Sequence, residues 1–193
     1  SYFIDFKLLI SIIYLPMGST FDKIFLIPYK KKEIKMINIR NANINDSATI
    51  LGFIKELAEY ENMSNDVVAT EELLKQNIFE KKLAEVIIAE FDNKPVGFAL
   101  FFHNFSTFLG KGGIYLEDLY VQPAMRGKNI GKTLLSSLAK LAVERDCGRL
   151  EWSCLNWNEP SIKFYKSQGA IPMNEWTVYR VTGNELNELA SKL

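Results

Sequence analysis

The sequence predicts a mixed α/β layer fold, and three observations carry that expectation. The first is the order of elements: helices after an opening strand, a meander, then helices and strands in alternation. The second is one continuous stretch, Gly113 to Leu135, that reads as strand, glycine-containing loop and helix. The third is bulk. The chain has 193 residues, 48% of them apolar, which suits one domain with a sizeable core and excludes a disordered chain.

Charge excludes other classes. Lys plus Arg and Asp plus Glu both number 23, so no global field attracts nucleic acid, and a cationic ligand has to be drawn by local acids. One histidine, His103, and two cysteines, Cys147 and Cys154, make neither a metal cluster nor a disulfide framework. The expected metal set is therefore none. Two reduced thiols point to a cytoplasmic location.

Residues 1–35 stand apart. Leu8 to Leu15 is apolar but too short to span a bilayer, so no stable membrane insertion is expected, and no small-residue cleavage site follows it. We expect Met36 to lie at or near the natural start, with 1–35 an extension outside the fold and 36–193 a single domain. A membrane-surface or partner-binding arm is the alternative.

Ile37 to Arg40 reads as an edge strand. Asn45 or Asp46 then caps a helix with Ile50, Leu51, Ile54, Leu57 and Ala58 on one face, ending near Tyr60 and Glu61. Thr70 caps a second helix with Leu73, Leu74 and Ile78. Glu85 to Phe91 and Val96 to Phe102 form a hairpin around a turn at 92–95, and 106–113 is a loop.

Strict alternation along the central strand groups Tyr115, Glu117, Leu119 and Val121 on one face and Ile114, Leu116, Asp118 and Tyr120 on the other. Pro123 ends that strand. Ile130, Leu134, Leu135, Leu138, Leu141 and Ala142 recur at helical spacing. Between strand and helix, Arg126 to Gly131 forms a small-residue loop. Its backbone N–H groups and the following helix N-terminus suit a pyrophosphate. Leu150 to Leu155 reads as a further strand. Asn158 caps a helix with Pro160 in its first turn and Gly169 at its end. Trp176 to Val181 reads as a late strand, and Thr182-Gly-Asn-Glu185 as a capping box opening a last helix with Leu186, Leu189 and Leu193.

Arg126-Gly-Lys-Asn-Ile-Gly131 resembles the Arg/Gln-x-x-Gly-x-Gly/Ala signature of the GNAT superfamily of acyl-CoA-dependent N-acyltransferases. Tyr115 to Val121, Trp157 to Lys166 and Ile54 to Glu61 narrow the likeness to the spermidine/spermine branch, which includes diamine and thialysine acetyltransferases. It covers roughly Met36 to Arg180. Asn129 departs from the signature, which has Gly there; Asn is the side chain most tolerant of positive φ after Gly.

The resemblance implies a mixed, mostly antiparallel central sheet flanked by helices, with a splayed strand pair that binds acetyl-CoA. It implies an N-acetyltransferase that moves acetyl to a primary amine of a small polyamine, diamine or thialysine-like amino acid, by direct attack in a ternary complex. It also implies a homodimer. Leu119, Tyr120 and Val121 would hold the pantetheine arm. Gly127, Lys128, Asn129, Ile130, Gly131 and Lys132 would hold the pyrophosphate, with Arg126 nearby, and Asn158 and Ser161 would touch the cofactor's arm. Tyr165 matches the general acid. Tyr60, Glu61 and Glu117 match amine contacts, and Glu175 and Trp176 lie near corresponding positions.

The chemistry is consistent with those roles. A lysine-like ammonium has a pKa of about 10.4, so a nearby carboxylate, here Glu117, is needed to take its proton. A thiol near 8.5 and a phenol near 10 are close enough for tyrosine to protonate a leaving thiolate. Two other readings stay open: acetylation of a protein lysine or N-terminus, and a non-catalytic acyl-CoA-binding regulator.

Overall fold

The structure is a computed structural model and describes residues 37–193. The expectations on the extension and on Met36 lie outside those residues. Five strands form one sheet in the order β1-β2-β3-β4-β5: Ile37–Asn41, Glu85–Phe91, Lys94–Ser106, Lys111–Val121 and Leu150–Trp152. The first three neighbouring pairs are antiparallel and β4 with β5 is parallel, so the sheet is mixed and mostly antiparallel. The helices are α1 Ser47–Tyr60, α2 Glu71–Leu74, α3 Ile130–Glu144, α4 Glu159–Ser167 and α5 Gly183–Ala190.

The two apolar faces of the sheet are covered separately. Ile130, Leu134, Leu135 and Leu138 of α3 pack on Ala99, Phe101, Ile114 and Leu116. Ile50 and Phe53 of α1 pack on Ile88, Phe98 and Tyr120. The helical spacing read for both helices is thus the spacing that meets the sheet.

Several local expectations are corrected. Asn43, not Asn45, caps the entry to α1: its side chain accepts from the Asn45 amide at 3.0 Å, opening a short 3-10 turn over Ile44–Asp46. Asp46 is held by Arg40 at 2.8 Å, which keeps its carboxylate below the usual range, and it accepts the Asn43 amide at 2.8 Å to complete a capping box on the 3-10 turn; it makes no side-chain cap bond to α1. Thr70 caps α2 as read, accepting from the Leu73 amide at 3.2 Å; the helix then widens into a π turn over Lys75–Glu80. The first hairpin turns on Asp92 and Asn93 alone, both at positive φ, and β3 runs to Ser106, leaving 107–110 as the next loop. Trp176 to Val181 forms no strand, and Thr182 precedes α5 without making a side-chain cap bond.

The largest correction lies in β4. Leu100 pairs with Asp118 and Phe101 with Leu116, so Glu117 is an extra residue, a β-bulge. A bulge reverses the alternation beyond it. Leu119 and Val121 therefore join Ile114 and Leu116 on the α3 face, and Tyr120 joins the α1 face. The strict two-face reading of this strand fails at Glu117.

Gly97 of β3 lies against the end of β4. A Cβ there would sit 2.5 Å from the Tyr120 carbonyl oxygen and 3.2 Å from Val121 Cα. Both are backbone atoms in a paired strand and cannot step aside cheaply. Gly97→Ala is expected to destabilise the protein by about 1–3 kcal/mol or more, read as a lowered urea midpoint with unchanged slope.

Candidate active site

β4 and β5 pair only at Ile114–Leu150, Tyr115–Glu151 and Leu116–Trp152. At the bulge they part. From Glu117 to Val121 the β5-facing edge of β4 has no strand beside it among the described residues, which is the expected splay. Its backbone groups are open to a ligand, except the Val121 carbonyl, which accepts from Arg126.

Beyond the splay, a short 3-10 turn at Pro123–Met125 leads into Arg126 to Asn129 and then α3. Gly127 has φ +76° and Asn129 φ +63°, so Asn129 adopts the conformation its side chain tolerates best after glycine. Asn129 occupies the N-cap position of α3, yet its side chain makes no cap bond. Among the described residues, no amide from Gly127 to Lys132 donates to a loop or cap carbonyl. Lys128 and Lys132 are exposed there, while Ile130 is buried and anchors the turn to the core. Gly131 would tolerate a Cβ against Val121 and Phe164 only at contact distance, 3.8–3.9 Å. Free amides, a helix N-terminus and two lysines fit a pyrophosphate. The residues present therefore fit acetyl-CoA. Asn129→Gly is expected to be nearly neutral and Asn129→Val to weaken acetyl-CoA binding, since a β-branched residue resists this φ; titration calorimetry on the two variants checks both.

Arg126 reaches back rather than outward. Its Nε donates to the Val121 carbonyl at 3.1 Å, and its guanidinium lies 4.9 Å from the Tyr60 ring centre and 5.8 Å from that of Tyr120. Tyr60 donates its hydroxyl to Asn158 Oδ1 at 2.9 Å, and Trp157 lies 6.1 Å from it, ring to ring. Asn158 is 5% exposed, and the same Oδ1 accepts the Ser161 amide at 3.3 Å, capping α4. The Tyr60 hydroxyl is thus committed to protein, and its ring has the Arg126 guanidinium and Trp157 as neighbours. Tyr120 is committed as well: its side chain is buried beneath α1, and burial followed by a hydrogen bond to Glu56 pushes its phenol up to about 12. Only the Tyr120 backbone is left for a cofactor.

A second group gathers where β4 leaves β5. Tyr165 of α4 stacks on Trp152 at 4.9 Å and on Phe164 at 5.2 Å, which fixes its ring. Burial holds its phenol well above the ordinary value, and the charges of Cys154, Glu61 and Asp118 add to this. Asp118 is pushed up to about 6, first by burial and then by negative charge on Glu117 and Glu61. Burial alone raises Glu61. Glu61, Asp118 and Cys154 thus act on Tyr165, and Glu61 acts on Asp118 and Cys154, a cluster of coupled groups of the kind that gathers at functional sites.

Of the expected site residues, Glu117 is exposed at the bulge beside Asp118, and Glu175 and Trp176 lie on an exposed segment. Sequence reading missed Asp118. The signal was present as an acid pair, but strict alternation assigned Asp118 to the side opposite Glu117. It also gave no site role to Trp157, which opens one of the family-like blocks, or to Cys154.

The acetyltransferase (GNAT) family matches residues 52–170. The chain is 36% identical over 168 residues to the thialysine N-epsilon-acetyltransferase of Bos taurus, covering 81% of this chain and 98% of that protein. It is 33% identical over 172 residues to spermidine/spermine N(1)-acetyltransferase-like protein 1 of Homo sapiens, covering 83% of this chain and 25% of that longer protein. An integron cassette protein from the mobile metagenome of V. cholerae superposes with a TM-score of 0.68 at 34% identity, covering 80% of this chain and 97% of that one. A splayed sheet with an anion cradle at its mouth is the architecture of an acyl-group transferase, and the chain belongs to the GNAT family of acetyltransferases. Its relatives match the thialysine and spermidine/spermine branch, it is an N-acetyltransferase, and acetyl-CoA is its acetyl donor. No described helix is long and apolar enough to cross a membrane.

Proposed function

We propose that the chain acetylates a primary amine of a small polyamine, diamine or thialysine-like amino acid, by direct attack within a ternary complex. The observation that carries this reading is the convergence of Glu61, Asp118 and Tyr165 at the mouth of the splay. Acids and a buried phenol in one neighbourhood suit a cation that must lose a proton and a sulfur that must gain one.

In this reading the Gly127 to Lys132 amides hold the pyrophosphate, the Leu119 to Val121 edge holds the pantetheine, and the Ser161 hydroxyl touches its arm. Asn158 frames that contact. Bound acetyl-CoA supplies an acetyl group activated as a thioester. The ring of Tyr60 and the carboxylates of Glu61 and Glu117 hold the elongated cation. Asp118, poised near neutrality and paired with Glu117, takes the ammonium proton, directly or through one water. A backbone N–H on the open β4 edge stabilises charge on the acyl oxygen. Tyr165 Oη presents a proton to the departing sulfur. Its raised pKa keeps the hydroxyl protonated before each turnover and favours a strong hydrogen bond over lasting ionisation.

We extend the proposal to a homodimer in the cytoplasm; the two free cysteines among the described residues fit a reducing compartment. Thiol release over a panel of polyamines, diamines, thialysine and lysine-containing peptides tests the reading. Turnover should appear with free amines. Turnover confined to peptides would reassign the acceptor, and acetyl-CoA binding without turnover would favour the regulatory reading.

A further inference from the structure

We propose that Tyr60 and Asn158 are positioning residues for the proton donor: the Tyr60 hydroxyl, through Asn158, fixes where α4 lies and so where it holds Tyr165. Tyr165's part in this rests on the functional reading above; the tie between the two helices does not.

α4 cannot place itself. It has nine residues, a length at which an isolated helix is marginal in water, and none of them is buried. Of its apolar residues, Phe164 and Tyr165 pack against the core. β5 before it is three residues long, and residues 171–193 after it are exposed. The stacking of Tyr165 on Trp152 and Phe164 orients the ring without engaging its hydroxyl. The direction of that hydroxyl is therefore set by how the whole helix is seated.

The seat is polar. From residue 153 to residue 193, Asn158 is the single buried residue, at 5% exposed. An amide side chain is buried only where hydrogen-bond partners meet it. Its Oδ1 takes two. One is the Ser161 amide at 3.3 Å, which caps α4 from within the same segment. The other is the Tyr60 hydroxyl at 2.9 Å, which comes from 98 residues away. The cap alone would open a helix. The second bond ties that opening to α1. Tyr60 is the last residue of α1, a 14-residue helix whose Ile50 and Phe53 are buried against the sheet. α1 is thus the fixed body, and Tyr60 carries its position across to α4.

The result is a division of labour within one side chain. The Tyr60 hydroxyl serves the thioester side of the reaction by holding α4, while the ring and the adjacent Glu61 stand on the amine side. One anchor then sets the separation between the proton donor and the acceptor's contacts. A misplacement of about 1 Å can cost roughly a hundredfold in rate. α4 keeps its ring stacks when the hydroxyl is lost, so a smaller loss, about tenfold, is expected.

Three readouts on the full chain test this. Tyr60→Phe removes the hydroxyl and keeps the ring beside Arg126 and Trp157. Steady-state thiol release, with thialysine and spermidine as acceptors, should show kcat about tenfold lower and both KM values within about twofold of wild type. The double variant Tyr60→Phe with Tyr165→Phe should be no slower than Tyr165→Phe alone, because a residue that acts through Tyr165 has nothing left to position. Hydrogen exchange needs no activity: the amides of 161–165 should exchange about fivefold faster in Tyr60→Phe, the factor that one ordinary hydrogen bond carries, with those of 50–57 in α1 unchanged. Normal turnover in Tyr60→Phe, a raised amine KM at unchanged kcat, losses that multiply in the double variant, or unchanged exchange at 161–165 would overturn the proposal. If Tyr165→Phe alone turns over normally, the general-acid reading fails. Faster exchange at 161–165 would then leave the tie between α1 and α4 standing, and unchanged exchange would remove it too.

Discussion

Tyr165→Phe is expected to bind acetyl-CoA almost normally and to turn over at least about a hundredfold more slowly, within the ~10²–10⁴ range for loss of a positioned proton donor. The substitution removes one oxygen and almost no apolar area. The ring stays between Trp152 and Phe164, whose contacts at 4.9 and 5.2 Å do not involve the hydroxyl. Asn158 and Pro160, which open α4, are untouched. Fold and cofactor affinity should therefore survive while the proton at the sulfur is lost. The measurement is paired: calorimetric cofactor binding and steady-state thiol release on one preparation. Near-wild-type turnover would remove Tyr165 from the chemistry.

Asp118→Asn should lower turnover by a comparable factor and abolish the acid limb of the kcat/KM profile. The limb is expected near pH 6 because that is where burial and the charges of Glu117 and Glu61 bring the carboxyl. A base must be ionised, so activity should rise as pH climbs through 6. If Asp118 only bound the cation, its loss would raise KM for the amine and leave the limb in place; if Glu117 were the base, Glu117→Gln would remove the limb instead.

A linked stability effect has the opposite sign. The carboxyl titrates near 3.8 when unperturbed and near 6 in the fold. Between those values the folded state holds more protons than the unfolded one, so stability falls as pH rises. The penalty is absent below about 4 and fully present above about 6, where it reaches roughly 3 kcal/mol. Asn cannot ionise. The stability of Asp118→Asn relative to wild type should therefore increase between pH 4 and 7, measured by urea unfolding at each pH. A pH-independent difference would mean that Asp118 titrates normally.

Several features of this protein follow from residue order alone. The period of Ile130, Leu134, Leu135, Leu138 and Ala142 sets α3 and the face it buries, because helical geometry repeats whatever lies around it. The positive φ of Asn129 and the cap by Asn158 are also local, since each depends on one side chain and its immediate backbone. The cradle was legible in its small residues and the helix that follows them, and the splay was accessible as a resemblance, through motifs contiguous in the chain. What the sequence could not specify is decided by contacts between distant segments. The bulge at Glu117 exists only in the pairing of β4 with β3, and it decides which acid keeps company with Glu61 and Tyr165. The Tyr60–Asn158 bond joins residues 98 apart, and no local spacing encodes it. The segment from Trp176 to Val181 has strand composition but no strand, because a strand needs an edge as well as a propensity.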